Sequence, residues 1–294
     1  MTQPPKVAVL GSINMDLVCT TERRPEPGET VLGTGFAMVP GGKGANQAIA
    51  ARRSDAEVEF LGAVGRDPFA AQLRQVLTDA GVGGARLRSL PGSSGVATIV
   101  VERSGENTII VTPGANARFT ELDADDLRVV ADADILLCQL EIPVETVAAA
   151  ARRARAHGTL VLLNPSPVRE LPAELWRDID VAVVNSGEAE RLGAALAAVP
   201  HVITTRGGAG ADYRGPDGVA QFPAPRVRVV DTTGAGDAFT GALAAAWHRG
   251  PERALPWACA AGALAATELG ASASIPDAAA IARLLGDAAH GSDR

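Results

Sequence analysis

The sequence predicts an α/β fold in which a central, mostly parallel sheet is flanked by helices on both faces. Short apolar runs alternate with alanine-rich segments of helical periodicity along most of the chain, which is the pattern of repeated strand–helix–strand units. Two β-prone segments, near 12–40 and 93–112, interrupt this alternation. We expect both segments to form a separate small sheet, and the alternative is that they add edge strands to the main sheet.

The elements follow one another in a regular order. Buried strands are expected at 6–11, 58–64, 135–139, 159–164, 181–185 and 201–205. Helices are expected after Gly44 and at 68–80, 144–157, 188–199, 235–249, 252–269 and 277–285, before an irregular tail from 286 to 294. Within the two interruptions, short strands are expected between 16 and 39 and at 96–101 and 108–111. The absence of a long linker indicates one domain over 1–294.

Composition excludes several classes of protein. The chain has 27 Lys and Arg against 34 Asp and Glu, a net charge of −7, and no basic tract, which argues against a nucleic-acid partner. No apolar run is long enough to span a bilayer, and the first apolar run is typical of a strand and not of a signal peptide. Three separated cysteines and four histidines without metal spacing indicate neither a disulfide framework nor a zinc site. We therefore predict a cytoplasmic protein.

The most informative segment is DTTGAGD at 231–237, which precedes an alanine-rich helix. Glycines at a helix N-terminus let an anion approach free backbone N–H groups closely. Asp237 falls in the first turn, where a carboxylate would repel a bound phosphate unless it served as the base for an attacking hydroxyl. An ordinary helix N-terminus with an aspartate cap is the alternative, but the two flanking aspartates favour a functional site.

A second glycine cluster, PGGKGANQA, contains Gly42, Lys43 and Asn46. It is not a P-loop, because the lysine is followed by glycine and the upstream glycine spacing differs. Lys43 is one of only two lysines in the chain, which indicates either a need for a compact ammonium group or chance. Asn46 can donate to and accept from hydroxyl groups. We expect this segment to bind a polyhydroxylated ligand, and a tight turn into a helix is the alternative.

The motif GSINMD follows the first strand. Its Asn14 and Asp16 lie on the same side of an extended chain. Ligands of open α/β sheets bind beyond the carboxyl ends of strands, and a carboxylate there can accept hydrogen bonds from two neighbouring hydroxyls. A pair of turn-capping side chains would give the same pattern, so this motif alone leaves both interpretations open.

Together, GSINMD, PGGKGANQA and DTTGAGDAF resemble, in order and spacing, the ribokinase (pfkB-type) carbohydrate kinase family, over about residues 7–275. The resemblance implies a ribokinase-like sheet with a small β lid formed by 12–40 and 93–112. It implies ATP-dependent phosphorylation of D-ribose at the 5-hydroxyl, which gives D-ribose 5-phosphate and ADP. It also implies Mg²⁺ with ATP, K⁺ as an activator, and a homodimer formed by two lids.

The resemblance assigns roles to individual residues. Asp237 would be the catalytic base and Gly234, Ala235 and Gly236 the anion hole. The sugar would be bound by Asn14, Asp16, Gly42, Lys43, Asn46, Glu141 and Asp237. The nucleotide site would include Asn185, Thr205, Gly207, Gly210, Gly236 and Cys259. Asn185 and Glu188 would organise Mg²⁺ through water, although an N-capped helix start would give the same pattern.

The resemblance further implies a monovalent-cation site. Its members would be Asp231, Thr233, Ala265, Glu268, Gly270 and Ser274, partly through backbone carbonyls. Bound K⁺ would order the anion-hole loop. The alternative is that Asp231 caps local backbone and that the turn GASAS is an ordinary connection between two helices.

Two departures from the family pattern bear on the nucleotide. The link between Glu188 and His201 is shorter than in many ribokinases, and Cys259 stands where family members often present a hydrogen-bonding side chain. The nucleobase preference therefore stays open. Two other functions also stay open: another kinase of this family acting on deoxyribose, a nucleoside or a different sugar, and a sugar-binding protein without catalysis. The presence of Asp237 and its glycines argues against the second.

Overall fold

The computed structural model describes residues 3–291, except for the side chains of 287–291, and it contains two sheets. The strands of these residues are β1 Lys6–Leu10, β2 Asn14–Thr21, β3 Gly33–Gly41, β4 Glu57–Val64, β5 Leu87–Ser89, β6 Gly95–Glu102, β7 Asn107–Thr112, β8 Ile135–Cys138, β9 Leu160–Leu163, β10 Val181–Asn185, β11 His201–Thr205, β12 Ala211–Gly215 and β13 Gly218–Phe222.

The main sheet has nine strands in the order β13-β12-β11-β10-β9-β8-β1-β4-β5. All neighbouring strands from β11 to β5 pair in parallel, whereas β12 and β13 add an antiparallel hairpin at one edge. Alternate side chains enter different cores, with Val7 and Val9 on one face of β1 and Ala8 and Leu10 on the other. Because both faces are covered, the strands are continuously apolar. The predicted fold class is confirmed.

Helices cover both faces of the main sheet. Their bounds are α1 Lys43–Arg53, α2 Phe69–Asp79, α3 Ala115–Arg118, α4 Ala124–Asp132, α5 Val144–His157, α6 Ala173–Arg177, α7 Ser186–Leu192, α8 Ala235–Ala246, α9 Pro251–Ala265 and α10 Ala278–Gly291. Helices α1, α8 and α9 pack together on one face, and α5 packs on the other. In the part of the chain that the structure describes, no helix is long and apolar enough to cross a membrane.

The two interrupting segments form a second sheet of four strands in the order β3-β2-β6-β7, so they do not extend the main sheet. Strands β2 and β3 pair antiparallel, as do β6 and β7. Strands β2 and β6 pair in parallel, from Asn14 opposite Gly95 to Thr21 opposite Glu102. This parallel seam brings together the two segments that are far apart in the sequence.

Several predicted bounds were wrong. The helix expected at 188–199 ends at Leu192 and continues as a 3₁₀ helix, Gly193–Ala198, because Gly193 has a φ of 48°. The helix expected at 252–269 ends at Ala265. The tail expected to be irregular from 286 is helical as far as Gly291, and 292–294 lie outside the described residues. The predicted elements did not include β5, β12, β13, α3, α4 or α6.

Candidate active site

A cavity of about 150 Å³ opens at the carboxyl ends of β9, β10 and β11, against the first turn of α8. This is the edge of a parallel sheet at which ligands usually bind. The cavity is lined by Lys43, Asn164, Ser166, Val183, Val184, Asn185, Glu188, Thr205, Gly234, Gly236, Asp237 and Thr240. The structure therefore brings predicted residues from four distant parts of the sequence to one cavity.

The N-terminus of α8 forms one wall of this cavity. Gly234 is the N-cap residue with a φ of 77°, and a Cβ at this position would lie 2.8 Å from the Cα of Ala271, so the position favours glycine. The first-turn N–H groups of a helix have no intrahelical acceptor and attract anions. The N–H of Ala235 donates to the Thr232 carbonyl at 3.2 Å, and the other two residues of the predicted anion hole, Gly234 and Gly236, line the cavity.

Asp237 is buried, with 8% of its surface exposed, and two amides from α1 hold its carboxylate. Asn46 Nδ2 donates to Oδ2 at 3.0 Å, and Gln47 Nε2 donates to Oδ1 at 2.9 Å. The pairing fixes the plane of the carboxylate beside the helix N-terminus. Asn46 was predicted as a site residue, whereas Gln47 was not.

Lys43 begins α1 and projects toward three carboxylates. Burial lowers the pKa of Lys43, but the charges of Asp237, Glu141 and Glu188 outweigh burial and raise it above its usual value. Gly42, the N-cap residue, has a φ of 93°, and a Cβ there would lie 2.9 Å from backbone atoms of 13–14. This glycine lets α1 start directly against the end of β1 and the beginning of β2.

Glu141 is anchored where α1 begins. Its Oε2 accepts hydrogen bonds from Ser12 Oγ at 2.5 Å and from the N–H of Lys43 at 3.1 Å. Ser12 Oγ also accepts from the N–H of Gly44 at 3.3 Å. Ser12 is a site residue that the sequence analysis missed, although it lies within the motif GSINMD.

Asp16 lies on β2 close to the same group of charges. Burial raises the pKa of Asp16 to about 7, with further contributions from the negative charges of Glu141 and Asp237. A Cβ at Gly41 would lie 2.4 Å from Asp16 Oδ2, so glycine at the end of β3 leaves room for this carboxylate. Asp16, Lys43, Asn46, Glu141 and Asp237 therefore form one polar group, which we call the carboxylate cluster.

Asn14 is hydrogen-bonded to Asn116, which in turn bonds to the backbone beside Asn14. Its Oδ1 accepts from Asn116 Nδ2 at 2.7 Å, and Asn116 also bonds to both the N–H and the carbonyl of Ile13 at 3.1 Å. The interaction fixes the turn between β1 and β2, where the main sheet passes into the small sheet. Asn116 gave no sequence signal, because it lies about a hundred residues away in a short helix.

Asn185 and Glu188 form a reciprocal cap at the start of α7. Asn185 Oδ1 accepts from the N–H of Glu188 at 2.8 Å, and Glu188 Oε2 accepts from the N–H of Asn185 at 2.9 Å. The alternative of an N-capped helix start is thus present in the structure. Both residues also line the cavity beside Lys43, so capping does not remove them from the site.

The other residues predicted for the nucleotide site do not all line the cavity. Thr205 lines the cavity, and its Oγ1 donates to the Val184 carbonyl at 3.3 Å. Gly207 and Gly210 bound the 3₁₀ turn after β11, and a Cβ at Gly210 would lie 2.0 Å from the Phe222 carbonyl. Cys259 is buried in the core, with its Sγ 3.7 Å from the Phe222 carbonyl, and it does not line the cavity.

Asp231 joins the loop before α8 to the turn after α9. Its Oδ1 accepts from the N–H and Oγ1 of Thr233 at 2.9 and 2.7 Å, and its Oδ2 accepts from the N–H of Gly270 at 3.0 Å. Burial raises the pKa of Asp231, but these hydrogen bonds outweigh burial and lower it below its usual value. Local capping by Asp231, the alternative to a cation ligand, is therefore present.

The remaining predicted cation ligands differ in exposure. Ala265 and Ser274 are buried, and Glu268 is exposed. Ser274 Oγ donates to the Ala271 carbonyl at 3.1 Å. Among the described residues, no three His, Cys, Asp or Glu side chains are grouped in a way that could hold a metal ion. A cation here would therefore depend on backbone carbonyls and hydroxyls.

The turn from 266 to 275 also contacts two other parts of the site. Ser272 Oγ donates to the Pro40 carbonyl at 3.1 Å, near the end of β3. Arg53 Nη1, at the end of α1, donates to the Ile275 carbonyl at 2.5 Å and to the Ser272 carbonyl at 3.2 Å. The turn thus contacts both the helix that carries Lys43 and the small sheet.

A helix N-terminus beside a buried carboxylate, facing a cluster of lysine, amide and carboxylate groups, is the arrangement expected of a phosphotransferase that acts on a hydroxyl group. Comparison with known proteins agrees. The family model of the pfkB family carbohydrate kinases matches residues 4–278. This chain belongs to the pfkB family of carbohydrate kinases, and the resemblance read from the sequence is confirmed.

The relatives include kinases of two pentoses. The ribokinase of Lactococcus lactis is 40% identical over 248 residues, which cover 81% of this chain and 82% of that protein. The deoxyribokinase of Salmonella typhi is 37% identical over 260 residues, which cover 81% and 84%. The structure of Arabidopsis thaliana ribokinase complexed with ribose and ATP is similar with a TM-score of 0.89, 32% identity, and coverage of 97% of this chain and 99% of that one.

Proposed function

We propose that this kinase transfers the terminal phosphoryl group of ATP to the 5-hydroxyl of D-ribose, giving D-ribose 5-phosphate and ADP. The observation that carries the proposal is the position of Asp237. Its buried carboxylate lines the cavity at the N-terminus of α8, which is suited to phosphates, and it also belongs to the carboxylate cluster, which is suited to sugar hydroxyls. The similarity to two pentose kinases supports the choice of sugar.

The carboxylate cluster would bind the sugar. Asn46 is 5% exposed, and its Oδ1 has no hydrogen-bond partner among the described residues, so it is available to accept from a sugar hydroxyl. Asp16 and Glu141 supply further acceptors, and Lys43 supplies a donor. Asn14 and Gly42 would complete this part of the site from the backbone side.

Asp237 would act as the general base. Its carboxylate takes the proton of the 5-hydroxyl as the oxygen attacks the terminal phosphorus of ATP, and the bond from phosphorus to the ADP oxygen breaks on the opposite side. The N–H groups of Gly234, Ala235 and Gly236 would stabilise the charge on the phosphoryl oxygens. Positioning and electrostatic stabilisation supply most of the rate enhancement in this type of reaction.

The nucleotide would enter past Asn185, Thr205, Gly207 and Gly210, with Cys259 behind the site. The residues present fit Mg²⁺ held through water, because Glu188 lines the cavity and uses only one of its two carboxylate oxygens for capping. Bound Mg²⁺ neutralises phosphate charge. Asn185 and Glu188 would orient its water ligands, and Lys43 would add a positive charge on the sugar side.

Replacing Asp237 by asparagine tests the base. Asparagine keeps the size of the side chain but cannot take a proton, so we expect turnover to fall by about 10²- to 10⁴-fold. Ribose and ATP should still bind, which isothermal titration calorimetry would measure beside an ADP-coupled rate assay. Turnover near that of the wild type would remove Asp237 from the role of base.

A second candidate is the phosphorylation of 2-deoxyribose, which the similarity to a deoxyribokinase favours. Rates with ribose, 2-deoxyribose, fructose and a nucleoside, compared in the same ADP-coupled assay, would distinguish the candidates. A preference for ribose in kcat/KM supports the first proposal, and a preference for 2-deoxyribose supports the second. Binding of ribose without turnover of any sugar would point to a sugar-binding protein instead.

Two further parts of the proposal concern the small sheet. We propose that the small sheet is a lid that closes over the sugar and excludes water, and that two lids join in a homodimer. The cytoplasmic location and the activation by K⁺ likewise remain predictions.

A further inference from the structure

We infer that Gln47 is a positioning residue for Asp237, and that two further buried amides, Asn164 and Gln139, hold the Gln47 amide in place. The inference rests on the proposed role of Asp237 as base. Gln47 is fully buried, with 0% of its surface exposed, and it is not among the residues that line the cavity. Any effect of Gln47 on the reaction therefore passes through the side chains it contacts.

The Val183 carbonyl determines how the side-chain amides of Asn164 and Gln47 are oriented. The Val183 carbonyl can only accept a hydrogen bond, so Asn164 presents its Nδ2 to it, at 2.8 Å. Asn164 Oδ1 then faces Gln47 Nε2, at 3.1 Å. Since Gln47 gives one N–H to Asn164, its other N–H is directed to Asp237 Oδ1, at 2.9 Å.

Gln139 holds the other end of the Gln47 amide. Its Nε2 donates to Gln47 Oε1 at 2.6 Å, so a flip of the Gln47 amide would place two N–H groups against each other. A Cβ at position 11 would lie 2.0 Å from Gln139 Oε1, and Gly11 therefore leaves the space that this side chain occupies. The glycine of the motif GSINMD thus makes room for the side chain of Gln139, a residue more than a hundred positions away.

The two oxygens of Asp237 are consequently unequal. Oδ1 is held by an amide that other buried groups fix, whereas Oδ2 is held by Asn46, whose own Oδ1 has no partner among the described residues. The donor to Oδ2 belongs to the carboxylate cluster and the donor to Oδ1 does not. We therefore assign Oδ2 as the oxygen that takes the hydroxyl proton, while Gln47 holds Oδ1 and keeps Oδ2 directed to the sugar.

The test replaces Gln47 by methionine, which has a similar length but no donor. We expect kcat to fall by about 10- to 100-fold, the range for one hydrogen bond to a charged group, while the KM values for ribose and MgATP stay within about threefold. Ile49→Ala, a core substitution on the same helix, is the control for loss of stability, and thermal melts would be recorded for each protein. A fall in kcat for Gln47→Met that Ile49→Ala does not share would support the inference.

A kcat within about twofold of the wild type, or a fall matched by Ile49→Ala at equal loss of stability, would overturn it. Should Gln47→Met not fold, Gln47→Leu decides the question, because it also removes both Gln47 donors and leaves an apolar side chain of smaller size in the core. A drop in kcat at unchanged KM supports the inference, and an unchanged kcat overturns it.

Asp237→Asn is assayed in parallel, so that failure of the positioning role can be told from failure of the base. If Asp237→Asn is inactive while Gln47→Met has normal activity, only the positioning role fails. An active Asp237→Asn removes Asp237 from the role of base.

Discussion

The carboxylate cluster contains three carboxylates, which differ in how their charge is compensated. Asp237 accepts from two amides, and Glu141 accepts from a hydroxyl and a backbone N–H. No group among residues 3–291 donates a hydrogen bond to Asp16, which is the carboxylate whose pKa rises to about 7. A partly buried carboxylate without a hydrogen-bond donor is suited to a ligand that supplies its own hydroxyl donors.

Asp16 should make the stability of the ligand-free protein depend on pH. Its folded-state pKa of about 7 lies above the ordinary value of 3.8, so the folded chain holds a proton that the unfolded chain loses. The free energy of unfolding, relative to that of Asp16→Asn, should be highest below pH 3.8 and fall as the pH rises toward 7, by at most about 1.4 kcal/mol per unit of pKa shift. Urea titrations of both proteins at several pH values would measure this difference, and parallel pH profiles would contradict the prediction.

At the residue level, the sequence motifs predicted the groups that meet at the cavity, including Lys43, Asp237 and Glu188. They did not predict Ser12, Gln47, Asn116 or Gln139, although Ser12 and Gln47 lie inside the motifs. Each of these side chains acts through a partner from a distant strand or helix, and its role depends on tertiary contacts that no local pattern encodes. The glutamines are polar residues in otherwise apolar surroundings, which is the one signal that the sequence offers.

At the level of elements, the loop before α8 and the turn after α9 depend on each other. Asp231 accepts from N–H groups of both segments, and the Val230 N–H donates to the Ala266 carbonyl at 2.8 Å. The loop that presents the anion-hole glycines is thereby held from its far side. A cation coordinated by carbonyls of the same segments would hold it further.

We expect K⁺ to raise the initial rate well beyond Na⁺, because a large cation fits carbonyl and hydroxyl ligands that are spread over two segments. The measurement uses ribose and MgATP in a tetramethylammonium buffer, with K⁺ or Na⁺ added back. Asp231→Ala should blunt the activation, and Asp79→Ala, at an exposed position at the end of α2, is the control that should not. Equal rates in all three media would rule out the cation site.

The order of strands and helices was largely predictable, because apolar runs and helical periodicity are local. The hairpin β12–β13 was missed, since β13 is almost wholly exposed and has no apolar alternation. Helix α4 was missed despite the reciprocal cap of Asp123 and Asp126 at its start, which is a readable signal. The parallel pairing of β2 with β6 depends on contacts between distant segments and has no counterpart in the local sequence.

At the scale of the whole molecule, the small sheet exposes several large apolar side chains. Phe36 is 67% exposed and Ile110 is 66% exposed, and Met38, Ile109 and Val111 are also exposed. They lie on β3 and β7, the two outer strands of this sheet. Exposed apolar side chains on a sheet commonly mark a contact surface between proteins.

We expect the wild-type protein to be a dimer joined through these strands, as the proposed pairing of lids requires. Charged substitutions at Phe36 or Ile110, to aspartate, should produce a monomer, because the charge would be buried without a partner in the interface. Val219→Asp is the matched control, since Val219 is 82% exposed on β13 of the main sheet. Multi-angle light scattering gives the mass of each species, and a wild-type protein that is monomeric at high concentration would contradict the prediction.

The turn from 266 to 275 has a thermodynamic consequence. It bonds to the anion-hole loop through Gly270, to β3 through Ser272 and to α1 through the Ile275 carbonyl. A ligand that stabilises this turn and a ligand that stabilises α1 therefore act on shared contacts. Linkage between two binding equilibria is reciprocal, so any factor by which a cation tightens sugar binding is the same factor by which the sugar tightens cation binding. A cation that strengthens sugar binding would therefore itself be bound more tightly when the sugar is present.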